Sequence, residues 1–423
     1  MPVSTVSQLV MRLCRRPNFL PFLFKNSLRM KIALVNLCRV NNAYGGTEKV
    51  FFDMANNLSR RGHAVFALVH DTHRGHPSFP IDSKVDYRNC KLNLLQNIRA
   101  QVLRRLLPLF SPKNKKVITK IKNKYIPRAK PIRDQIESIA PDIIISFQPV
   151  TTYLLLDVMA LKTPVISMLH FTPNFDSNGQ EFQLYRGALA KSAVIQVLLP
   201  EFANHKNELF NKTRFISIPN IVPQYPNLAN TDGNLIINVA RLSKEHKRQH
   251  LILEAFSLIR KDFPNWRVEL WGETNEHPRY TLELTSLIRK HGMTNEVKIC
   301  GPTNDVKTQL QRSSIFCFPS AYEGFSLALT EAMSIGLPVI GCKDCISVSS
   351  IVKDGENGLL AENTAKGLAS KLRLLMSDAD LRKRLGNQAH EDMKQYSPEM
   401  VWDQWENLIF QIVSEPKQCL PKK

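Results

Sequence analysis

Short, nearly continuous runs of apolar residues alternate with segments of helical periodicity along most of the chain. Runs of this length without polar alternation are typical of parallel strands that are buried on both faces. A helix is predicted from about Thr47 to Arg61, and Gly62 follows it, where a glycine often ends a helix. In the first half the predicted strands are Lys31 to Leu37, Ala64 to Val69, Asp142 to Ser146, Pro164 to Met168, Val194 to Leu198 and Phe215 to Ile218.

The alternation stops at 219–234, which holds three prolines and Asp232-Gly233 and is the best candidate for a linker. It then restarts. The predicted strands of the second half are Leu235 to Val239, Arg267 to Trp271, Val297 to Cys300, Ile315 to Phe318 and Pro338 to Gly341, and the predicted helices are about Gln249 to Asp262, Tyr280 to His291, Asp305 to Arg312 and Leu327 to Ile335.

Strand–helix repetition on both sides of a linker predicts an α/β protein with two Rossmann-like domains and ligand crevices at the carboxyl ends of their strands. We expect a basic N-terminal extension at 1–29, a first domain at 30–222 and a second domain at 223–395. The remaining residues, 396–423, are expected to form a helix that crosses back over the domain junction and a tail.

The 423 residues carry a formal net charge of +20, which indicates an anionic partner such as nucleic acid, an acidic membrane or a phosphate-bearing substrate. Residues 88–133 contain fourteen Lys or Arg and no acidic residue, and residues 1–29 also lack acids. Because arginines interrupt the apolar stretch of 1–29, this extension is unlike a secretory signal. It is either a membrane-contacting segment or the product of a start codon upstream of Met30.

The eight cysteines do not predict a metal or redox site. The one close pair, Cys342-Lys-Asp-Cys345, has neither a second cysteine pair nor a nearby histidine to complete a zinc site. Reduced cysteines in a cytoplasmic protein are the simpler interpretation. No apolar run approaches the roughly 20 residues of a membrane-spanning helix.

Two acids and a glycine follow the predicted strand Ile315 to Phe318. Gly324 lets backbone N–H groups approach a phosphate, and the following helix N-terminus favours an anion. Glu323 and Glu331 are eight residues apart and are expected to face the same side. This layout suits a ligand with hydroxyls at both ends of a phosphate bridge, as in a nucleotide sugar.

Cations follow the strand Leu235 to Val239. Arg241 offers a planar fork to phosphate oxygens, and Lys247 adds a mobile point charge six residues later. Lys244 and Arg248 are competitors for the second role.

The run from Phe318 through Gly341, followed by Asp354-Gly355-Glu356-Asn357-Gly358, resembles the signature of retaining glycosyltransferases of family 4, the glycosyl transferases group 1, which have the GT-B fold. The resemblance spans about Met30 to Tyr396. It implies two Rossmann-like domains that face an interdomain cleft, and a hexosyltransferase that uses a nucleotide sugar, UDP-linked rather than GDP-linked, with retention of configuration. No cofactor and no metal are expected.

The resemblance also implies a role for each motif. In that family the first acid contacts the donor sugar, the second binds the ribose, the basic pair neutralises the diphosphate, and a histidine after a first-domain strand lies near the reacting carbon. The implied catalytic residues are Arg241, Lys247, Glu323 and His170, and the implied donor-binding residues are Gly45, Gly46, Gly324, Phe325, Ser326, Leu327 and Glu331.

The basic segment 88–133 predicts a contact with anionic lipid. Leu95, Ile98, Val102, Leu106 and Leu107 recur at helical spacing, and a cationic tract follows from Lys113 to Arg133. The alternative is an ordinary helix with a solvated charged face. The candidate membrane contacts are Arg99, Arg104, Arg105, Lys113, Lys115, Lys116 and Lys120.

A membrane contact would place the protein on the cytoplasmic face of a membrane, with a lipid-linked or oligosaccharide acceptor from the synthesis of lipopolysaccharide, capsule or another cell-surface glycan. A nucleic-acid-binding protein is the alternative from another class, because charge alone does not distinguish acidic polymers. It is disfavoured because no reader module is recognisable and aromatics are not interleaved with the cations. A phosphorylase or a sugar-nucleotide epimerase on the same fold is the second alternative.

Overall fold

The computed structural model describes residues 29–415 except 38, 44, 93–97, 99–100, 103–105, 107–115, 173–178, 205–207 and 275–276. Within this part of the chain, thirteen strands form two sheets, and every strand pairing within them is parallel.

The first sheet has seven strands in the order β3-β2-β1-β4-β5-β6-β7. The order reverses between β1 and β4, so the loops after these two strands diverge and leave a crevice at their carboxyl ends. The strands are β1 (Lys31–Asn36), β2 (Ala64–Val69), β3 (Asp86–Asn89), β4 (Ile143–Ser146), β5 (Val165–Met168), β6 (Val194–Val197) and β7 (Phe215–Ser217).

The second sheet has six strands in the order β10-β9-β8-β11-β12-β13. Here the reversal lies between β8 and β11, which pair through Ile236 with Ile315 and Ile237 with Phe316. The strands are β8 (Leu235–Val239), β9 (Arg267–Trp271), β10 (Val297–Gly301), β11 (Ile315–Phe318), β12 (Val339–Cys342) and β13 (Leu359–Ala361).

Helices connect the strands. The α-helices of the first domain are α1 (Gly46–Arg60), α2 (Lys116–Tyr125), α3 (Ala129–Ile139), α4 (Pro149–Tyr153) and α5 (Gln180–Leu189). Those after β8 are α6 (Gln249–Ile259), α7 (Pro278–Lys290), α8 (Val306–Gln311), α9 (Leu327–Ser334), α10 (Ile346–Ile351), α11 (Ala365–Ser377), α12 (Ala379–Met393) and α13 (Pro398–Ser414). Short 3₁₀ turns occupy Ile126–Arg128, Pro200–Ala203, Glu208–Phe210, Arg260–Asp262 and Lys394–Tyr396, and a π-helical turn, Leu154–Val158, extends α4.

Both faces of the first sheet are covered, which explains its apolar strands. Along β1, Ile32 and Leu34 join one hydrophobic core, whereas Ala33 and Val35 join another. The first core is shared with α1 and α13, and the second with α3, α4 and α5. Since alternate residues of β1 are buried on opposite sides, the strand has no polar face.

The C-terminal helix α13 belongs to the core of the first domain although it follows the second. Trp402 and Trp405 are buried among residues of β1 and α1. At its edge, the Arg61 guanidinium donates to the Glu406 carboxylate at 2.8 Å, and the other oxygen of that carboxylate lies 3.2 Å from His63 Nε2. The chain therefore crosses between the domains twice, once before β8 and once before α13.

Two segments differ from the sequence-based expectation. β3 has the sequence Asp-Tyr-Arg-Asn and carries no apolar run, and only its pairing with β2 at the sheet edge makes it a strand. The cationic tract expected from Lys113 to Arg133 is not one surface element, which corrects that prediction. Its C-terminal part begins α3, whose Ala129 and Ile132 are buried in the core.

No helix in the described part of the chain is long and apolar enough to cross a membrane.

Candidate functional site

The order reversal of the second sheet brings the basic and acidic motifs to one place. The loop after β8 carries Arg241 and Lys247, and the loop after β11 carries Glu323. Because β8 and β11 are adjacent and parallel, both loops leave the same edge of the sheet.

The loop that carries Arg241 is held by a buried amide. Gln249 is fully buried, and its Nε2 donates to the Arg241 carbonyl at 2.9 Å while its Oε1 accepts from the Ser243 N–H at 3.3 Å. Gly272 lies against this loop so closely that a Cβ on it would be 1.9 Å from the Ala240 carbonyl oxygen. Sequence reasoning did not find Gln249, because its role depends on which loop folds over it.

The structure separates the lysines that compete for the second cationic role. The Lys247 ammonium pairs with the Glu323 carboxylate and lies 5.1 Å from the centre of the Phe318 ring. The Lys244 ammonium pairs instead with Glu283 on α7. The side chains of Lys247 and Glu323 are only 18% and 11% exposed, so their attraction is screened less than that of a surface pair.

Arg248, the third competitor, is the N-cap residue of α6 and adopts a left-handed backbone conformation with φ 52°.

The acidic loop leads into α9 without being part of it. Helix α9 begins at Leu327, and its N-cap Ser326 accepts a hydrogen bond from the Leu329 N–H at 3.4 Å. Glu323 therefore precedes the helix, and the expectation that helical spacing aligns it with Glu331 is wrong. The two carboxylates have different partners, one in each domain.

Glu331 of α9 faces the first domain. Its Oε1 lies 3.6 Å from the Lys49 ammonium on the first turns of α1. Burial raises the pKa of Glu331, and the charge of Lys49 opposes that rise. Lys49 was not singled out in the sequence, since nothing local relates it to an acid 282 positions away.

The glycines before α1 contact the second domain. Gly45 is the N-cap of α1, and a Cβ on Gly46 would lie 3.2 Å from the Leu327 side chain. Glu48 folds back over Gly45, and the backbone N–H of Gly45 bonds to the Glu48 carboxylate. Burial raises the pKa of Glu48, and the Arg241 guanidinium acts against this rise across the cleft. Glu at the third helical position is a capping signal that could have identified Glu48.

The loop after β5 meets the acidic loop backbone to backbone. A Cβ on Gly324 would lie 2.2 Å from the His170 carbonyl oxygen, so only glycine permits this approach. The Thr172 hydroxyl donates to the Glu323 carbonyl at 2.5 Å, and the Tyr322 hydroxyl donates to the Thr172 carbonyl at 2.6 Å. These contacts join the two domains beside Glu323.

His170 is stacked on Phe147, with ring centres 5.5 Å apart. Its Nε2 is buried and has no hydrogen-bond partner among the described residues. Burial lowers its pKa to about 4, so the ring is neutral at pH 7. A neutral imidazole can donate or accept a hydrogen bond but adds no charge to the cleft.

The remaining donor-site candidate, Phe325, is buried at 5% exposure and its ring packs edge-on against Tyr396, with centres 5.4 Å apart. Its side chain thus belongs to the core, and only its backbone is available to a ligand.

Two of the candidate membrane residues lie on α2 of the first domain. Lys116 is the first residue of α2, and Lys120 is exposed on that helix. The other candidates, Arg99, Arg104, Arg105, Lys113 and Lys115, lie outside the described residues.

In the part of the chain that the structure describes, no group of three or more His, Cys, Asp or Glu side chains could hold a metal ion.

Residues 224–392 match the model for glycosyl transferases group 1. This range contains β8 to α12 up to Asp392, and with them Arg241, Lys247, Glu323 and Glu331.

Relatives in three bacteria extend the similarity to the first domain. The chain is 25% identical to an uncharacterised glycosyltransferase of Haemophilus influenzae and 23% identical to an amylovoran biosynthesis glycosyltransferase of Erwinia amylovora. Each match covers 86% of this chain and 96% of the relative. The chain is also 27% identical to an exopolysaccharide phosphotransferase of Streptomyces coelicolor. That match covers 88% of this chain but only 40% of the relative's length.

Solved structures show the same fold. The sucrose-phosphate synthase of Thermosynechococcus elongatus matches with a TM-score of 0.73 at 16% identity, over 92% of this chain and all of that one. The Anabaena protein HepE, in complex with UDP and glucose, matches with a TM-score of 0.68 at 15% identity, over 90% of this chain and all of that one. The expected GT-B fold is confirmed, and the protein is a glycosyltransferase whose residues 224–392 match the glycosyl transferases group 1 family.

Proposed function

We propose that the protein transfers a hexose from a nucleotide sugar to a lipid-linked or oligosaccharide acceptor, with retention of anomeric configuration. The observation that carries the proposal is the meeting of four groups in one interdomain cleft. Lys247 pairs with Glu323 beside the Arg241 loop, and the His170 loop of the other domain contacts Gly324.

The cleft offers charge where the reaction needs it. As the bond from the sugar to the nucleoside diphosphate breaks, negative charge grows on the departing phosphate oxygen. The Arg241 guanidinium, the Lys247 ammonium and the backbone N–H groups from Gly324 to Leu327 at the start of α9 are fixed partners for that charge. Such groups contribute about 10²- to 10³-fold each in comparable sites. In this proposal the two cations do the work that a divalent metal does elsewhere, and no cofactor takes part.

The two acids have separate roles in this proposal. Glu323 accepts hydrogen bonds from hydroxyls of the donor sugar, and its ion pair with Lys247 couples the sugar end to the diphosphate end of the crevice. Glu331 accepts from the ribose hydroxyls. His170 of the first domain, neutral at pH 7, hydrogen-bonds to the donor sugar from the acceptor side.

UDP is the proposed nucleotide, and cell-surface glycan synthesis is the proposed setting. Support comes from the Anabaena structure, which contains UDP and glucose, and from the relatives named for exopolysaccharide and amylovoran. A lipopolysaccharide core glycosyltransferase of Rhizobium meliloti is 26% identical over 42% of this chain.

We further propose that the protein works at an anionic membrane surface on the cytoplasmic side. Ile98, Val102 and Leu106 are helical at i, i+4, i+8 spacing, and each is about half exposed. On α2, Lys120, Lys122 and Lys124 are exposed as well. Apolar side chains beside cations, both open to solvent, suit a helix that lies in the interface of an acidic bilayer.

The first test is thermal stability with a panel of nucleotides. UDP at 100 times its Kd should raise the free energy of unfolding by about 2.7 kcal/mol and hence raise Tm. GDP and ADP should raise it less. If UDP, GDP and ADP all leave Tm unchanged, the donor site is assigned wrongly.

A matched set of carboxylate variants then tests the roles. Glu331→Gln should weaken UDP binding, whereas Glu323→Gln should lower transfer from the intact donor more than it weakens UDP. Glu283→Gln is the control, because Glu283 also pairs with a lysine of the second domain but lies on α7 and is 41% exposed. Equal effects of Glu323→Gln and Glu283→Gln on transfer would contradict the role of Glu323.

A further inference from the structure

A lysine of the first domain lies where the proposed ribose ligand is. Lys49 Nζ is 3.6 Å from Glu331 Oε1, and the two side chains are 31% and 17% exposed. The neighbouring contact between Gly46 and Leu327 brings the first turn of α1 against the first turn of α9. The pair therefore bridges the cleft at the ribose end.

Lys49 has a second carboxylate within reach. Asp53, one turn further along α1, has its Oδ2 3.9 Å from the same ammonium. Burial raises the pKa of Asp53 as it does that of Glu331, and the charge of Lys49 opposes both rises. The other groups facing this cluster are Arg60, which also lowers the pKa of Asp53, and Tyr225, whose pKa is raised by burial and by Glu331.

We propose that Lys49 is a positioning residue that holds the Glu331 carboxylate until the ribose of the donor displaces it, and that Asp53 then keeps the ammonium. The inference rests on the ribose role proposed for Glu331. Vicinal ribose hydroxyls donate two hydrogen bonds to one ionised carboxylate, and an ammonium on that carboxylate competes with them. Because Asp53 shares Lys49, the exchange leaves the ammonium with a counterion, while the two ribose hydrogen bonds hold the ionised Glu331 carboxylate.

The exchange also links the donor to the cleft. With Glu331 bound to Lys49, the ammonium joins α1 to α9; with Glu331 bound to ribose, α1 is released at this point. The donor therefore changes a contact between the two domains at the end of the cleft opposite the sugar. Lys49 itself touches neither the reacting atoms nor the diphosphate in this scheme.

The test measures how much the ribose hydroxyls contribute to affinity. The Kd values of UDP and of its 2′,3′-dideoxy analogue are determined by calorimetry at pH 8. The Kd of the dideoxy analogue divided by the Kd of UDP is then compared between variants. Lys49→Met removes the competing charge at similar side-chain length, so the ratio should rise about threefold to tenfold. Lys49→Arg should keep the original ratio. Lys244→Met, which removes a lysine paired with Glu283, is the control and should not change it.

The ratio isolates the exchange from general electrostatics, because both nucleotides carry the same diphosphate. As pH falls, the increase of this ratio in Lys49→Met should shrink. Without Lys49 the pKa of Glu331 rises further, and the protonated acid accepts hydrogen bonds from the ribose poorly. An unchanged or smaller ratio in Lys49→Met at pH 8 would overturn the exchange. A ratio of one in the wild-type protein, with UDP still bound, would overturn instead the ribose role of Glu331. The absence of any UDP binding would overturn the donor site as a whole.

Discussion

Gly324→Ala is the substitution whose effect can be worked out most directly from the structure. The new Cβ would lie 2.2 Å from the His170 carbonyl oxygen, 2.8 Å from its carbon and 3.0 Å from Phe171 Cα. Ordinary contact begins at 3.4 Å, so the acidic loop and the β5 loop must separate by about 1 Å. All three contacts are backbone atoms, which have no rotamer by which to yield.

The two loops belong to different domains, so the strain is relieved by opening the cleft rather than by unfolding. A misplacement of about 1 Å costs about 100-fold in rate where two reactants must be aligned. We expect kcat/KM for transfer to fall by about that factor. UDP affinity should change much less than transfer, because the proposed nucleotide contacts Arg241, Lys247 and Glu331 all belong to the second domain and an opened cleft only loosens the hold of Lys49 on Glu331.

The assay compares transfer, UDP binding and Tm in Gly324→Ala with those in Gly187→Ala. Gly187 lies in α5, and a Cβ there meets nothing within 4 Å. The control should retain its activity and gain up to about 1 kcal/mol in stability from the better helix propensity of alanine. If transfer by Gly324→Ala stays within threefold of the control, the domains do not need this close approach for catalysis, and the reasoning is refuted.

Three further predictions concern other parts of the protein. Gln249→Leu should lower the free energy of unfolding by about 1–3 kcal/mol, because buried backbone groups lose their partners. It should also raise the donor KM. An unchanged KM in kinetic assays would mean that the Arg241 loop keeps its place without the amide. Since burial lowers the pKa of His170 from 6.5 to about 4, the unfolded chain binds a proton at this ring before the folded protein does. Between pH 6.5 and about pH 4 this ring should therefore lower the free energy of unfolding by up to about 1.4 kcal/mol per pH unit, and urea unfolding of His170→Gln should lack that part of the slope. Replacing exposed lysines of α2 by glutamine should reduce cosedimentation with anionic vesicles and spare donor hydrolysis, whereas equal cosedimentation would favour a plain solvated helix; the lysines are Lys120, Lys122 and Lys124.

Much of the fold was predictable because its strands are buried on both faces. Apolar runs such as Ile315 to Phe318 have no solvent side, so they stand out in the sequence and were placed within one or two residues. β3 was not predictable, since a polar edge strand is defined by its neighbour rather than by its own residues. The start of α3 was misread for a related reason. Its cations face outwards, and only the fold shows that Ala129 and Ile132 between them are buried.

The candidate site divides in a similar way. The residue types and the resemblance were local features of the chain, so Arg241, Glu323 and Glu331 could be proposed from the sequence alone. The choice between Lys244 and Lys247 could not be made locally, because both lie in the same loop and differ only in which carboxylate they reach.

By itself, the sequence determined the parallel α/β architecture, the two-domain division around a linker and the residue types of the proposed nucleotide-sugar site, because each depends on patterns within a short stretch. Only the tertiary structure decided the partners. Lys49 meets Glu331 across 282 positions, Thr172 meets Glu323 across 151, and Gly324 meets His170 backbone to backbone. The reason is physical: the order reversals of two separate sheets, and the way their domains face each other, bring together residues that no local pattern relates.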